Sequence, residues 1–393
     1  MRTFFKWLGM AILVTALTGA GFFFFILPPR VDDALNAVTP HDPYEISAEA
    51  QALHDTLRVA DLHSDLLLWS RDPVRRYGRG HTDLPRLREG GVVLQVFTSV
   101  TKTPSNMNYE TNDATSDDIT LLAIAQRWPV DTWGSLYNRA RFHARRLHRA
   151  AERSGGEFVV VESRADLADA LAAHAENGNM VAGILGTEGA HPLEGDLANI
   201  PRLYAEGYRV VGLQHFFDNR LGGSLHGESQ SGLTDFGKRA VRAMQARGIL
   251  IDVAHSSEAT VHDTLQETGG AALIVSHTGF NGHCPSPRNI SDDTMAMIAE
   301  AGGVIGVGFW ADVTCGEGID AIVSAIRYGI DHFGLDHIAL GSDWDGSVTT
   351  PIGAAQLPHL TQALLDKDFT EQEIHAVMGG NMARFLATHL PPQ

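Results

Sequence analysis

The chain has 393 residues, 44% of them hydrophobic and 40 of them glycine, enough for one large globular domain or two of ordinary size. Its 47 acidic and 30 basic side chains give a formal charge of -17, which argues against a nucleic-acid partner because binding phosphates needs Lys and Arg. An acidic surface of this kind favours solubility and identifies no particular partner.

The first predicted element is a membrane-spanning helix. Residues 8 to 27, LGMAILVTALTGAGFFFFIL, carry no charge and have about the length that crosses a bilayer as a helix. Arg2 and Lys6 precede this run, so the positive-inside tendency places the rest of the chain outside the cytoplasm. A cleaved signal peptide is the alternative, but no A-x-A site ends the run. We predict an uncleaved signal anchor over residues 1 to 28 and a Pro-rich linker over residues 29 to 48.

Eight short apolar runs rich in Gly and Val follow in the predicted catalytic domain, residues 49 to 393. Stretches long enough for a helix separate most of them. Continuous apolar strands that alternate with helices indicate a parallel sheet buried on both faces, and eight of them predict a (β/α)8 barrel. An open doubly wound sheet is the alternative, because periodicity alone cannot decide closure. We predict that residues 101 to 179 form an inserted helical segment. The eight runs are 57–63, 91–100, 180–189, 209–215, 248–255, 271–278, 302–309 and 337–344.

Six of the eight runs end in a potential metal ligand or acid-base group. In a parallel barrel the carboxyl ends of all strands lie on one face, so these side chains are expected to converge. Residues i and i+2 of a strand point the same way, so His63 and Asp65 can reach one ion, and Asp345 would face the same side as Asp343. The strand-end residues are His63 and Asp65, Glu188, His215, His255, His277 and Asp343.

These residue types indicate a metal-dependent hydrolase. Imidazole and carboxylate groups suit Zn²⁺ at a site that leaves room for water, although Mn²⁺ or Co²⁺ could use the same ligands. One carboxylate can bridge two ions. Each residue alone also has a structural explanation, since a single strand-end histidine is usually only hydrogen-bonded and a lone carboxylate can cap a helix. Four further histidines are expected at the surface or around the ligands: His81, His191, His226 and His283.

The two cysteines leave two possibilities. In an oxidising compartment outside the membrane, Cys284 and Cys315 can form one disulfide, whereas two unrelated thiols are expected in a cytosolic protein. The predicted anchor exports the catalytic domain and so favours the disulfide.

The ordered motifs HSD, GTEGAH, GLQHF, DVAHSS, SHTG, PRN and GSDWDG resemble the membrane dipeptidase (renal dipeptidase) family, from about residue 55 to residue 385. This resemblance implies a distorted barrel that binds two Zn²⁺ per chain and cleaves dipeptides with a metal-activated water. It assigns His63 and Asp65 to one ion and His255 and His277 to the other, with Glu188 bridging both.

The resemblance also implies roles in substrate binding and proton transfer. His215 is similar to the histidine that contacts the substrate carbonyl and steadies the tetrahedral intermediate. Arg288 is similar to the arginine that holds the terminal carboxylate, a role that its planar fork suits. Asp343 resembles the acid-base carboxylate. Cys284 stands where extracellular members have a half-cystine, which supports a bridge to Cys315.

Further implications of the resemblance concern substrate and location. The family tolerates a D-residue at the C-terminal position of the dipeptide, and its members suggest a homodimer. Attachment through an N-terminal helix favours a bacterial source with the catalytic domain in the periplasm. The alternative function is another metal-dependent amidohydrolase acting on N-acyl amino acids, cyclic amides or lactams, although related folds of that type often begin with H-x-H. An anchored, non-enzymatic binding protein agrees less well with a complete set of ligands.

Overall fold

The computed structural model of the chain describes residues 2–393. The strands run parallel to one another, and helices follow most of them along the chain. The strands are β1 (Val59–Ser64), β2 (Val92–Val100), β3 (Phe158–Val160), β4 (Val181–Glu188), β5 (Tyr208–Gly212), β6 (Leu250–Asp252), β7 (Ile274–Thr278), β8 (Val304–Val307) and β9 (Ile338–Leu340). The α-helices are α1 (Arg2–Gly21), α2 (Leu27–Leu35), α3 (Ala48–His54), α4 (Leu84–Glu89), α5 (Asp118–Ala125), α6 (Leu136–Arg153), α7 (Arg164–Asn177), α8 (Asn199–Ala205), α9 (Asp235–Gln245), α10 (Glu258–Thr268), α11 (Asp292–Glu300), α12 (Ala311–Thr314), α13 (Ile319–Phe333), α14 (Leu357–Asp366), α15 (Glu371–His375) and α16 (Asn381–His389).

Eight of the strands close into a barrel, which confirms the predicted (β/α)8 architecture. The order β2-β1-β9-β8-β7-β6-β5-β4 is completed by a β2–β4 pairing that runs from Leu94 opposite Ala182 to Val100 opposite Glu188. Every residue of these eight strands is buried, because side chains fill the barrel inside and helices cover it outside. The open sheet considered from periodicity is therefore wrong.

The barrel is distorted where a ninth, unpredicted strand joins it. β3 pairs with the first part of β4, residues 181 to 183, while β5 pairs with the later part, residues 185 to 187. Further register shifts occur between β1 and β2 and between β7 and β8. β3 has three residues, too few to give a recognisable pattern. It lies in the segment predicted as a helical insertion, which also contains α5, α6 and α7.

The N-terminal helix is longer than the predicted anchor. α1 continues through a π-helical turn, Phe22–Ile26, into α2. The whole helix, Arg2–Leu35, is apolar and long enough to cross a membrane, as an anchor or as a signal sequence, and its most apolar stretch is not buried by the protein. Pro28 and Pro29 follow directly after the π-helical turn, in the first turn of α2, and the helix continues past them into the predicted linker.

The segment after the anchor packs on the catalytic domain. The buried carboxylate of Asp32 accepts hydrogen bonds from Nε of Arg71 at 3.0 Å and Nε of Arg79 at 2.8 Å. Asn36 donates to the same carboxylate at 3.0 Å and accepts from the backbone N–H of Ser347 at 2.9 Å. These bonds join α2 to the loops that follow β1 and β9.

We expect Asp32→Ala to lower the free energy of unfolding by roughly 3 kcal/mol, because the buried guanidinium of Arg71 loses one of its two carboxylate partners. Chemical denaturation of the full chain in detergent measures the change. Asp33→Ala removes the neighbouring exposed carboxylate and should cost less than about 0.5 kcal/mol. Equal effects of the two substitutions would mean that the Asp32 ion pair contributes no more than a surface charge.

Candidate active site

The strand-end residues come together at the carboxyl end of the barrel. Glu188 is the last residue of β4 and His277 lies within β7, whereas His215, His255 and Asp343 each follow a strand by three residues. All of these side chains are buried, and they border one pocket. The residues predicted for the site that line this pocket are Asp65, Glu188, His215, His255, His277, Arg288 and Asp343. His63 lies directly behind it.

Glu188 is the centre of the cluster. Its Oε1 atom lies 3.1 Å from Nε2 of His255 and 3.3 Å from Nε2 of His277. The Nε2 atoms of His215 and His63 lie 3.4 Å and 3.7 Å from the same oxygen. One carboxylate oxygen thus faces four imidazole nitrogens. Together with Glu188, these groups come from five different strand ends.

The donor atoms are spaced as metal ligands are. Nε2 of His255 lies 2.9 Å from Nε2 of His277, close enough for both lone pairs to point at one ion. Nε2 of His63 lies 3.5 Å from the Asp65 carboxylate. Three groups of donors have atoms within 4.8 Å of one another, and they overlap through His63 and Glu188: His63, Asp65 and Glu188; Glu188, His215 and His255; His63, His277 and Asp343.

The electrostatics of the cluster fit cations. Burial and the neighbouring carboxylate of Asp65 raise the pKa of Glu188 well above its usual value. Burial alone would lower the pKa of His63, but the carboxylates of Asp65 and Glu188 outweigh it and raise that pKa to about 10. Burial and the adjacent cationic groups lower the pKa of His255 and of His277. Metal ions would replace the protons that the buried carboxylates otherwise retain. The neutral rings of His255 and His277 can ligate without losing a proton.

Buried polar groups orient the histidines from behind. Oγ of Ser276 lies 3.1 Å from Nδ1 of His63 and 2.9 Å from Nδ1 of His277, and it donates to Asp252 at 2.6 Å. Hydrogen bonds of this kind fix the ring orientation of metal-binding histidines in other proteins. Asp252 is the last residue of β6, so one strand end orients ligands from two others.

Asp343 and Asp345 face different surroundings, contrary to the expectation that both point the same way. β9 ends at Leu340, so the alternation of a strand does not extend to them, and both adopt left-handed backbone with φ of 60° and 65°. Asp343 borders the pocket, and burial raises its pKa to about 8. Asp345 points away and pairs with Arg71 at 2.6 Å, which holds the pKa of its carboxyl below the usual range despite burial.

Arg288 is buried beside the cluster. Its guanidinium donates to the backbone carbonyls of Ala254 at 2.9 Å and His277 at 2.8 Å, so it is held by two strand ends. The loop that carries Arg288 is tied to the end of α12 by a disulfide between Cys284 and Cys315, whose Cα atoms are 5.5 Å apart.

The sequence analysis missed part of the pocket wall. Tyr109, from the insertion, borders the pocket and accepts a hydrogen bond from Nε1 of Trp310 at 3.0 Å. Burial raises the pKa of Tyr109 to about 12, so it stays a neutral hydroxyl. No strand pattern marks this residue, because it lies in an irregular loop between β2 and α5. Met107 and Thr103 of the same loop complete this side of the wall.

The four unassigned histidines are not surface residues, with the exception of the partly exposed His283. His226 is buried beside the His255 ring, with centroids 5.4 Å apart, and burial lowers its pKa to about 3. His191 is buried against the Phe217 ring at 4.5 Å. His81 accepts at Nδ1 from the backbone N–H of Asp345 at 2.9 Å.

Comparisons with known proteins agree with this geometry. Residues 47–389 match the sequence profile of the membrane dipeptidase family, peptidase family M19. The dipeptidase aclJ of Aspergillus oryzae is 27% identical over 357 residues, which cover 84% of this chain and 77% of that protein.

Two solved structures of metallopeptidases share the fold over most of their length. The dipeptidase AC, of family M19, aligns with a TM-score of 0.70 at 25% identity, covering 86% of this chain and 100% of its own. A metallopeptidase from Rhodobacter sphaeroides, liganded with a phosphinate mimic of the dipeptide L-Ala-D-Ala, aligns with a TM-score of 0.68 at 25% identity over the same shares. The chain therefore belongs to the membrane dipeptidase family, peptidase family M19, and is a hydrolase of the metallo-dipeptidase type.

Proposed function

We propose that the chain holds two Zn²⁺ ions and hydrolyses dipeptides, including dipeptides with a C-terminal D-residue. The observation that carries this proposal is the position of Glu188, whose Oε1 lies within 3.7 Å of four histidines beside two further carboxylates. His63 and Asp65 would hold one ion, His255 and His277 the other, and Glu188 both. Two bound Zn²⁺ ions supply an acidic water and polarise the scissile carbonyl.

The remaining residues of the pocket supply proton transfer and charge stabilisation. Asp343, which borders the pocket, would accept the proton of the attacking water and pass it to the leaving amine. Burial lowers the pKa of His215, so its ring is neutral and can donate one N–H to the oxygen that gains charge.

Arg288 limits the substrate to short peptides. Its guanidinium borders the same pocket as the ligand cluster, so a carboxylate bound to it lies only a short distance from the bond to be cleaved. This arrangement favours dipeptides over N-acyl amides without a nearby carboxylate and over longer chains. The Rhodobacter sphaeroides protein, bound to a mimic of L-Ala-D-Ala, supports acceptance of a D-residue at the C-terminal position.

We further propose that the N-terminal helix is an uncleaved anchor and that the catalytic domain lies in the periplasm. Arg2 and Lys6 precede the apolar run of the helix, on the side expected in the cytoplasm. The bridge between Cys284 and Cys315 agrees with an oxidising compartment.

The proposed activity is tested with the full chain reconstituted with zinc. We expect chelator-sensitive release of amino acids from L,L and L,D dipeptides, with two zinc ions per chain, and we assay N-acetyl amino acids and a tripeptide beside them. Mass spectrometry of products and metal analysis provide the measurements. Cleavage of the N-acetyl compounds alone would support the proposed metal site but contradict the assignment of dipeptides as substrates.

The Arg288 assignment is tested by Arg288→Lys with dipeptides and their C-terminal amides. Loss of the bidentate contact should raise KM for dipeptides by roughly 10- to 100-fold, since a hydrogen bond to a charged group contributes about 1.5 to 3 kcal/mol. KM for the amides, which carry no carboxylate, should change much less. An unchanged ratio of the two KM values, at unchanged zinc content, would remove Arg288 from carboxylate recognition.

Asp343→Asn should lower kcat by roughly 10²- to 10⁴-fold, the usual contribution of general acid-base catalysis, and leave two zinc ions bound. Asp33→Asn is the control, because the exposed carboxylate of Asp33 lies outside the pocket and its loss should leave both kcat and zinc content unchanged. Zinc loss from Asp343→Asn in proportion to the lost activity would make Asp343 a ligand instead of the acid-base group.

A further inference from the structure

Exposed apolar side chains of the catalytic domain are concentrated in one segment. Among the described residues after residue 35, five large apolar side chains are exposed, and four of these lie between β2 and α6. Their exposed fractions range from 37% for Trp133 to 71% for Val130. The four are Met107, Leu121, Val130 and Trp133, and the fifth is Met297 in α11. We refer to Leu121, Val130 and Trp133 as the apolar patch.

The segment that carries the apolar patch contacts the end of the N-terminal helix. The guanidinium of Arg127, which lies between Leu121 and Val130 in the sequence, sits 4.2 Å from the centre of the Phe25 ring. The helix that carries Leu121, α5, contacts both α2 and the π-helical turn before it. A bilayer crossed by this helix therefore has its surface close to α5.

The same end of the molecule holds the active-site pocket. Leu68 borders the pocket and belongs to a buried cluster against which Val31 of α2 packs. Ser347, also on the pocket wall, donates its backbone N–H to Asn36 at 2.9 Å. The chain thus leaves the N-terminal helix at the rim of the active site and not at the opposite end of the barrel.

We propose that the catalytic domain rests on the bilayer through the apolar patch, with its active-site face toward the lipid headgroups. This inference rests on the proposed membrane anchoring and adds a second contact with lipid. Leu121 and Val130 suit the boundary of the acyl chains, and the indole of Trp133 suits the headgroup level. A cation such as Arg127 favours anionic headgroups.

A second copy of the chain is the other occupant that an apolar patch could have. Lipid fits better because the patch borders the end of the chain's own membrane helix, so burying it in the interface requires no further partner. Scattered apolar residues on a surface carry no such meaning, but here four of five lie within one segment.

The test uses the full chain in lipid discs that hold one copy, made of phosphatidylcholine and phosphatidylglycerol with brominated acyl chains. The two native cysteines form a disulfide, so a single introduced cysteine can carry a fluorophore. Labels at Leu121→Cys and Val130→Cys should lose fluorescence to the brominated lipid. A label at Met297→Cys is the matched control, since Met297 is also exposed apolar surface but lies on α11, a helix that contacts α10 and α13, and it should keep its fluorescence.

A label at Leu13→Cys, within α1, reports on the anchor separately. If it is quenched while the labels at residues 121 and 130 behave like the one at 297, the anchoring is correct and the docking proposal is wrong. If the label at residue 13 is not quenched either, the anchoring proposal is wrong, and the docking proposal that rests on it is wrong as well. Shielding of residues 121 and 130 only in discs with two copies would assign the patch to contact between chains.

Discussion

The site depends on keeping several buried charges of like sign close together. Glu188, Asp65 and Asp343 lie within one buried cluster, and in a medium of low dielectric their repulsion opposes ionisation. Protons or cations must offset that charge. Protons do so in part, as the raised pKa of His63 shows, but metal ions bring more positive charge and a defined geometry. The buried polar groups behind the ligands, Ser276 and Asp252, are required for the same reason.

The barrel meets this constraint because it orders ligands from strands that are distant in sequence. The β2–β4 pairing closes the ring and brings Glu188 opposite the end of β2. Ser276 then links the rings of His63 and His277, so a ligand from β1 and a ligand from β7 share one hydrogen-bonded support on Asp252. Closure of the sheet therefore brings the ligands and the groups that orient them to one place.

The sequence predicted the fold and the convergence of strand-end residues because both follow from simple periodicities. Buried parallel strands read as continuous apolar runs, and their carboxyl ends share one face. The same logic failed for Asp345, since β9 stops at Leu340 and the chain beyond it obeys no alternation. Strand periodicity gave no signal for Tyr109, which an irregular insertion brings to the pocket. The prolines at the start of α2 predicted a linker, whereas the structure has a helix there.

The loop that carries Asp343 shows how such irregular parts are held. Asp343, Asp345 and Ser347 all have positive φ, a conformation that costs about 1 kcal/mol or more per non-glycine residue and persists only where the surroundings fix it. The buried carboxylate of Asp345 supplies that fixation by pairing with Arg71, and Arg71 in turn pairs with Asp32 of α2. Because guanidinium stays charged, both carboxylates are needed to bury it. The position of the acid-base candidate is thus set by the same guanidinium that fixes where the N-terminal helix joins the barrel.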